Sequence, residues 1–329
     1  TTTIGADGGG LLNADQQNAF IDYIWDATVL GQQVRKVKMH SNEQEIDKVS
    51  VGARIVRGAT EAVDTGENAG AVFTKISLST RKLRLDWEIS SESLEDNIEG
   101  ANLEDHLARL MATQFGNDIE DLAINGNTNS TDPLLNVFNG YSELLRGPEG
   151  HVIDANGGVL DRGVLNAAIK TLPRKYLQRK QDFKFFAGTG AIQDYIYSLQ
   201  AVEAGLVNPE TLAAAGITQA VKPEGAAGFR SGNAFGFGIQ EVPLFREDKA
   251  LNEEGSAAGT GTEDHSELWL TSPQNLLMGI KRDVTIHREF VPKKDAIEYT
   301  AFVRVGVQVQ HADATVVVKN LGPADSTLG

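Results

Sequence analysis

The chain contains no cysteine. Disulfide frameworks, thiolate zinc sites and cysteine nucleophiles are therefore excluded together, and stability must come from packing or assembly. Basic charge is also in short supply: 30 Lys and Arg stand against 45 Asp and Glu, a formal net charge of -15. Polyanion binding depends on clustered Lys and Arg that release counterions, so an adhesive nucleic-acid surface is not expected. Long apolar runs are missing as well. No window approaches the roughly 18 uninterrupted apolar residues of a bilayer span. Thr1 to Gly10 has neither a basic segment nor an apolar stretch, so neither membrane insertion nor secretion is indicated. The six histidines, at 40, 106, 151, 265, 287 and 311, never take a spacing such as HExxH that sets two ligands on one helix face. No metal and no cofactor is expected.

At 329 residues the chain exceeds one ordinary compact core, which predicts two domains or one with large excursions. The Thr- and Gly-rich start reads as an arm, and Asn13 offers an N-cap for a helix carrying Phe20, Tyr23, Ile24 and Ala27 on one face, ended by Gly31. Val49, Val51, Ala53 and Ile55 then alternate with Ser50, Gly52 and Arg54, a strand pattern. Residues 56–71, with Gly58, Gly66 and Gly70 beside Glu61, Asp64 and Glu67, read as a loop tip. Alternation resumes at Ile76 and Leu78 and changes parity to Leu83, Leu85, Trp87 and Ile89, predicting a bulge or twist near Thr80 to Lys82. Together residues 46–89 suggest one long hairpin with few apolar side chains. An isolated two-stranded ribbon is at best marginally stable, so this one is expected to lie on its own domain or on a neighbouring copy.

Asn102 opens the clearest helix, with Leu103, Leu107, Leu110, Met111, Phe115, Ile119 and Leu122 at helical period and Gly126 as the stop. Its 23 or so residues predict a rod of roughly 35 Å, about twice the mean helix length. A second helix starts at Asp161, carries Val164, Leu165, Ala168, Ile169 and Leu172, and ends near Pro173. Phe183 to Phe186 reads as a short buried strand and Ala191 to Leu199 as a helix. Between Gln200 and His265 the composition shifts to Ala and Gly with brief strand signals such as Ile239 to Phe245, suggesting a separate loop-rich domain. Strands return at Leu268 to Leu270 and Val284 to Phe290. The most regular segment is Ile297, Tyr299, Ala301, Val303, Val305, Val307 and Val309, alternating with Glu298, Thr300, Arg304 and Gln308: a half-exposed antiparallel strand packed against the long helix. Ala314 to Leu321 is expected as its partner.

Signals of chemistry are weak. Gly188-Thr189-Gly190-Ala191-Ile192-Gln193 lacks the third glycine and the Lys of a dinucleotide or phosphate loop and reads as a turn with a cap. No GxSxG elbow is present, and Glu95-Asp96 and Glu104-Asp105 lie at helix starts, where carboxylates meet the helix dipole favourably. Asn129-Ser130-Thr131 reads as a loop. The densest basic group is Arg54, Arg57, Lys75, Arg81, Lys82 and Arg84, in an otherwise acidic chain. The plain reading is a solvated strand face. The sharper one is that the ribbon docks on an acidic neighbour, since complementary charge sets register and speeds association.

The order of these elements (arm and helix, two-stranded excursion, long helix, helix-strand-helix unit, Gly/Ala-rich insertion, final long strand) resembles the tailed-phage major capsid proteins of the Hong Kong 97 type. Ala101-Asn-Leu-Glu-Asp-His-Leu-Ala-Arg-Leu, Leu270 to Asp283 and the Val303 to Val309 strand also look like that family. The resemblance implies an α+β fold with an N-terminal arm and helix at 1–42, an E-loop hairpin at 43–90, a P-domain with its spine helix at 91–186, an A-domain at 187–266 and P-domain return strands at 267–329. It also implies a non-enzymatic shell subunit that joins copies of itself as pentamers and hexamers around double-stranded DNA, without sequence-specific binding and without a membrane. Portal and scaffolding proteins, and in some members a decoration protein, are the implied partners, and the virion capsid, assembled in a bacterial cytoplasm, is the implied location. Only about a dozen residues precede the first helix, so the removable scaffolding segment of some members is not expected in this chain. Some members join subunits through an E-loop lysine; Lys75 and Lys82 are E-loop lysines, but that chemistry is not carried over to either. The nearest rival is an encapsulin-like compartment of similar fold; a carboxylate-dependent hydrolase is the rival from another class.

Overall fold

Among the described residues, one long helix, two larger sheets and a two-stranded ribbon organise the fold. The structure, a computed structural model, describes residues 9–11, 24, 28–51, 71–90, 103–196, 231–246 and 266–322. In chain order the strands and helices are β1 (Gly9–Leu11), β2 (Arg35–Lys38), β3 (Glu43–Val51), β4 (Ala71–Ser79), β5 (Arg81–Ser90), α1 (Leu103–Asn125), α2 (Tyr141–Leu145), β6 (His151–Asp154), α3 (Arg162–Thr171) and β7 (Lys184–Ala187). They continue with β8 (Ser231–Ala234), β9 (Phe237–Glu241), β10 (Ser266–Thr271), β11 (Leu276–Val291), β12 (Ala296–Val309) and β13 (Val316–Leu321).

The long helix is present as expected: α1 runs 23 residues and stops at Gly126, whose N–H still bonds the Leu122 carbonyl. Ala112, Phe115, Ile119 and Leu122 form its buried stripe. Leu110, expected on that stripe, is 52% exposed: it points away from the core, while Leu107 and Ala108 in the preceding turn pack against the core. Near Gly116 the chain at Ile24 passes so close that a Cβ there would overlap the Ile24 carbonyl, so only glycine permits this crossing. Ile24 itself is helical and fully buried, as its place in the first helix predicts; Asn13, Phe20, Tyr23 and Ala27 lie outside the described residues. Asp161 caps α3 by accepting from the Val164 N–H at 2.7 Å, as its sequence position predicts.

The first sheet has the order β1, β11, β12, β5, with β2 also joined to β11. Strand β12 sits between two antiparallel neighbours, and its alternation is real: Tyr299, Ala301, Val303, Val305 and Val309 are buried in one core with Phe115, Ile119 and Leu122 of the helix. On the same inner face Trp87 stacks on Tyr299 at 5.0 Å between ring centroids.

Strand β13 is not its partner. It pairs with β10 and β6 in a second sheet of order β6, β13, β10, β7, β9, β8. Both faces of this sheet's centre are buried: Phe186, Trp269 and Val317 turn into the first core, while Phe185, Leu268, Leu270, Val316 and Val318 turn into a second one shared with α3. A strand buried on both sides carries no period-two signal, which is why its partner was not readable. Residues 231–241, read as part of a separate loop-rich domain, add β8 and β9 to this same sheet. Residues 197–230 and 247–265 lie outside the described residues.

The expected single hairpin divides in two. Strands β3 and β4 form a two-stranded ribbon, but β5 leaves it and pairs with β12. Only Thr80 separates β4 from β5, held to the Asn42 carbonyl by its N–H at 2.8 Å. The parity change is therefore a passage from one sheet to another and not a bulge within a hairpin. The ribbon rests on its own chain: at its base Leu78 is fully buried and Gln308 donates to the Ser77 carbonyl at 2.9 Å, and midway along it Lys48 reaches Asp313 at 3.9 Å. Farther out, Phe73 is 71% exposed. The loop tip, residues 56–71 in the sequence reading, lies outside the described residues except for Ala71.

Candidate assembly surface

Because β12 turns its odd-numbered side chains inward, the even-numbered ones form an outer face shared with β5 and β11. Ladder register arranges this face in rows. Lys82 stands opposite Arg304; one step along come Arg84 and Phe302. The next row is Asp86, Thr300 and His287, and the one after it is Glu88, Glu298 and Glu289. One end of the face is basic and the other acidic.

Contacts within the face are those of exposed charge. Lys82 Nζ lies 3.8 Å from the Phe302 ring centroid, and the His287 ring meets the same ring edge-on at 6.1 Å. Arg84 Nε is 2.7 Å from Asp86 Oδ2. At the basic end both Lys281 and Arg304 donate to Asn42 Oδ1, at 2.6 and 3.1 Å. At the acidic end Lys294 bonds Glu298 at 2.6 Å and Glu88 at 3.2 Å, and these bonds raise its ammonium above the usual lysine range.

Other polar clusters tie the body together. Glu267, 1% exposed, accepts from Ser142, Trp269 and Arg146, joining α2 to β10. Glu120 on α1 accepts from the Val29 N–H at 2.8 Å and from the Leu30 N–H. Burial pushes its carboxyl up, partly offset by those bonds. Beside the ribbon, Asp313 accepts from Lys175 and Tyr176, each at 2.7 Å, at the edge of a cleft of about 400 Å³ lined in part by Arg179, Gln310 and His311. Burial, and then the charge of Lys48, push His311 below the usual histidine value. Among the described residues no three His, Asp or Glu side chains are placed to hold a metal ion.

No family model matches the chain. A Bacillus subtilis (strain 168) protein, "Putative prophage capsid protein YqbE", is 27% identical over 282 residues, spanning 85% of this chain and 83% of the relative. Among solved structures, the capsid of a native GTA particle superposes with a TM-score of 0.59 at 14% identity, covering 97% of this chain and 94% of the other. The satellite phage P4 procapsid gives 0.55 at 13% identity, with coverages of 92% and 98%. A virus-like particle from Pyrococcus furiosus gives 0.53 at 11%, with 92% and 97%. The chain has the phage capsid fold. The resemblance read from the order of its elements is borne out.

Within this capsid fold the six basic residues singled out in the sequence do not form one ribbon surface. Arg54 and Arg57 lie outside the described residues. Lys75 is on β4 and is matched by Glu45 at 2.6 Å, which raises it. Arg81, Lys82 and Arg84 belong to β5 in the first sheet. Arg304 and Lys281 join them, and sequence reading missed both because each is one polar residue in a strand distant along the chain. The acidic row of Glu88, Glu289 and Glu298 was missed for the same reason.

Proposed function

We propose that this chain is the major capsid protein of a tailed phage or prophage. Copies join as pentamers and hexamers of an icosahedral shell that encloses double-stranded DNA without reading its sequence, assembled in the cytoplasm of a bacterial host with portal and scaffolding proteins and, in some shells, a decoration protein. The observation that carries this is the prophage capsid relative, which aligns over 85% of the chain. The fold supports it, since capsid subunits of several particles share it over nearly their full length. Residues 43–90 play the E-loop, α1 the spine helix, and residues 187–266 the A-domain. In this role Arg54, Arg57, Lys75, Arg81, Lys82 and Arg84 contact neighbouring copies, and no catalysis is involved.

A prophage relative favours a genome shell over an encapsulin-like compartment. Size-exclusion chromatography with negative-stain imaging of the expressed chain tests the shell: closed particles are expected, and a chain that stays monomeric at high concentration refutes it. A unique portal vertex and packaged DNA in particles from the host separate phage shell from compartment. Deleting residues 56–71 should leave a soluble fold that no longer closes shells; closed particles from that deletion would remove the E-loop assignment.

A further inference from the structure

The outer face of the first sheet has its charges sorted by sign along the strands. Lys82 and Arg304 lie at one end, with Lys281 beside them, and Glu88, Glu298 and Glu289 lie at the other. Six residues of strand separate the two rows, about 20 Å at roughly 3.3 Å per residue. Lys82, Glu88 and Glu289 are exposed. Like charges directly opposite one another destabilise a ladder, so Lys82 facing Arg304 and Glu88 facing Glu298 cost the lone subunit stability. Lys294 relieves the acidic row in part by bridging Glu88 and Glu298. The basic row is relieved by a neutral acceptor, Asn42.

We propose that this face is a contact between copies of the chain, in which the basic row around Lys82 and Arg304 of one copy meets the acidic row of Glu88, Glu289 and Glu298 of the next. This rests on the shell reading and adds to it the acidic acceptor that the basic residues of β5 engage. A second copy is the occupant the charges select, because one surface carries both halves of the complement. End-to-end pairing leaves one free basic end and one free acidic end on each assembled pair, so the contact continues from copy to copy, and the rotation per step decides whether a ring closes. Each exposed pair is weak alone, but the contact recurs in every copy of a ring or shell. Its electrostatic origin makes assembly slow at high salt.

The test uses the full chain with two charge-reversed variants, Lys82→Glu/Arg304→Glu and Glu88→Lys/Glu289→Lys, each first checked by circular dichroism and melting to be folded like the wild type. Light scattering should show assembly of each variant alone slowed by roughly tenfold or more at about 0.1 M salt. Mixing the two should restore it, because each reversed end then meets its complement. Variants that each assemble at the wild-type rate, or a mixture that fails to recover, overturn the contact while wild-type shells still stand. A charge-dependent species that stops at two copies overturns the end-to-end arrangement. A wild type that never assembles overturns the shell reading itself.

Discussion

Gly306 in β12 lies directly beneath the carbonyl of Ser79, so close that a Cβ at 306 would overlap the carbonyl oxygen. This is where the ribbon ends and Thr80 carries the chain across to β5. The close approach brings Gln308 within reach of the Ser77 carbonyl and seats Leu78 in the body. A side chain at 306 would have to push backbone, which cannot yield as a flexible side chain does. Gly306→Ala is therefore expected to destabilise the unassembled subunit by about 1–3 kcal/mol. Chemical denaturation measures this, and an unchanged midpoint would show that the ribbon base is not held there.

Asp313 is the second anchor of the ribbon. Burial pushes its carboxyl up, but hydrogen bonds from Lys175 and Tyr176, with the charges of Lys175 and Lys48, bring it below the usual carboxylate range. A depressed carboxyl stabilises the fold above its unfolded-state pKa, and that stabilisation disappears as pH falls through the folded-state value. Acidification should accordingly loosen Lys48 and the strand that carries it before the body unfolds. Hydrogen exchange in residues 43–48 should rise at low pH, and Asp313→Asn should raise it already at neutral pH; equal protection in both proteins would discount the anchor.

Glu120 has the opposite sign. Burial raises its carboxyl above the ordinary value of 4.5 despite the bonds from Leu30 and Val29. Its contribution to stability is greatest below that ordinary value and is lost as pH rises through the raised one. Stability of the wild type relative to Glu120→Gln should thus decline as pH rises through this window. Glu120→Ala leaves the N–H groups of residues 29 and 30 without their acceptor and is expected to cost about 1–3 kcal/mol. Denaturation series across pH check both; a pH-independent difference would remove the titration of Glu120 from the account.

Arg146 and Glu267 make a buried ion pair between α2 and β10, with side chains 12% and 1% exposed. Removing one partner of such a pair strands the other charge, so Arg146→Ala is expected to cost about 3–5 kcal/mol. The double variant Arg146→Met/Glu267→Gln should cost less than the single one, since it removes both charges. Thermal melts of the three proteins decide this, and a double variant worse than Arg146→Ala would contradict it.

Elements whose signal lies within their own residues were legible in the sequence. The 23 residues of α1, the Asp161 cap of α3 and the alternation of β12 all stand where the pattern places them, because helix and half-buried strand impress their period on the local order of apolar side chains. The element order was enough to recognise a phage capsid fold. What the tertiary structure alone decided is partnership. It sent β13 to β10 and β6, moved β5 out of the ribbon at Thr80, set Lys48 on Asp313, and brought residues 29 and 30 to Glu120 on α1. It also aligned Lys82 with Arg304 and Glu88 with Glu298, so that scattered charges became two opposed rows. Pairing and register depend on which distant segment covers a face, and a strand covered on both sides, or one polar side chain far along the chain, leaves no periodic trace of its neighbour.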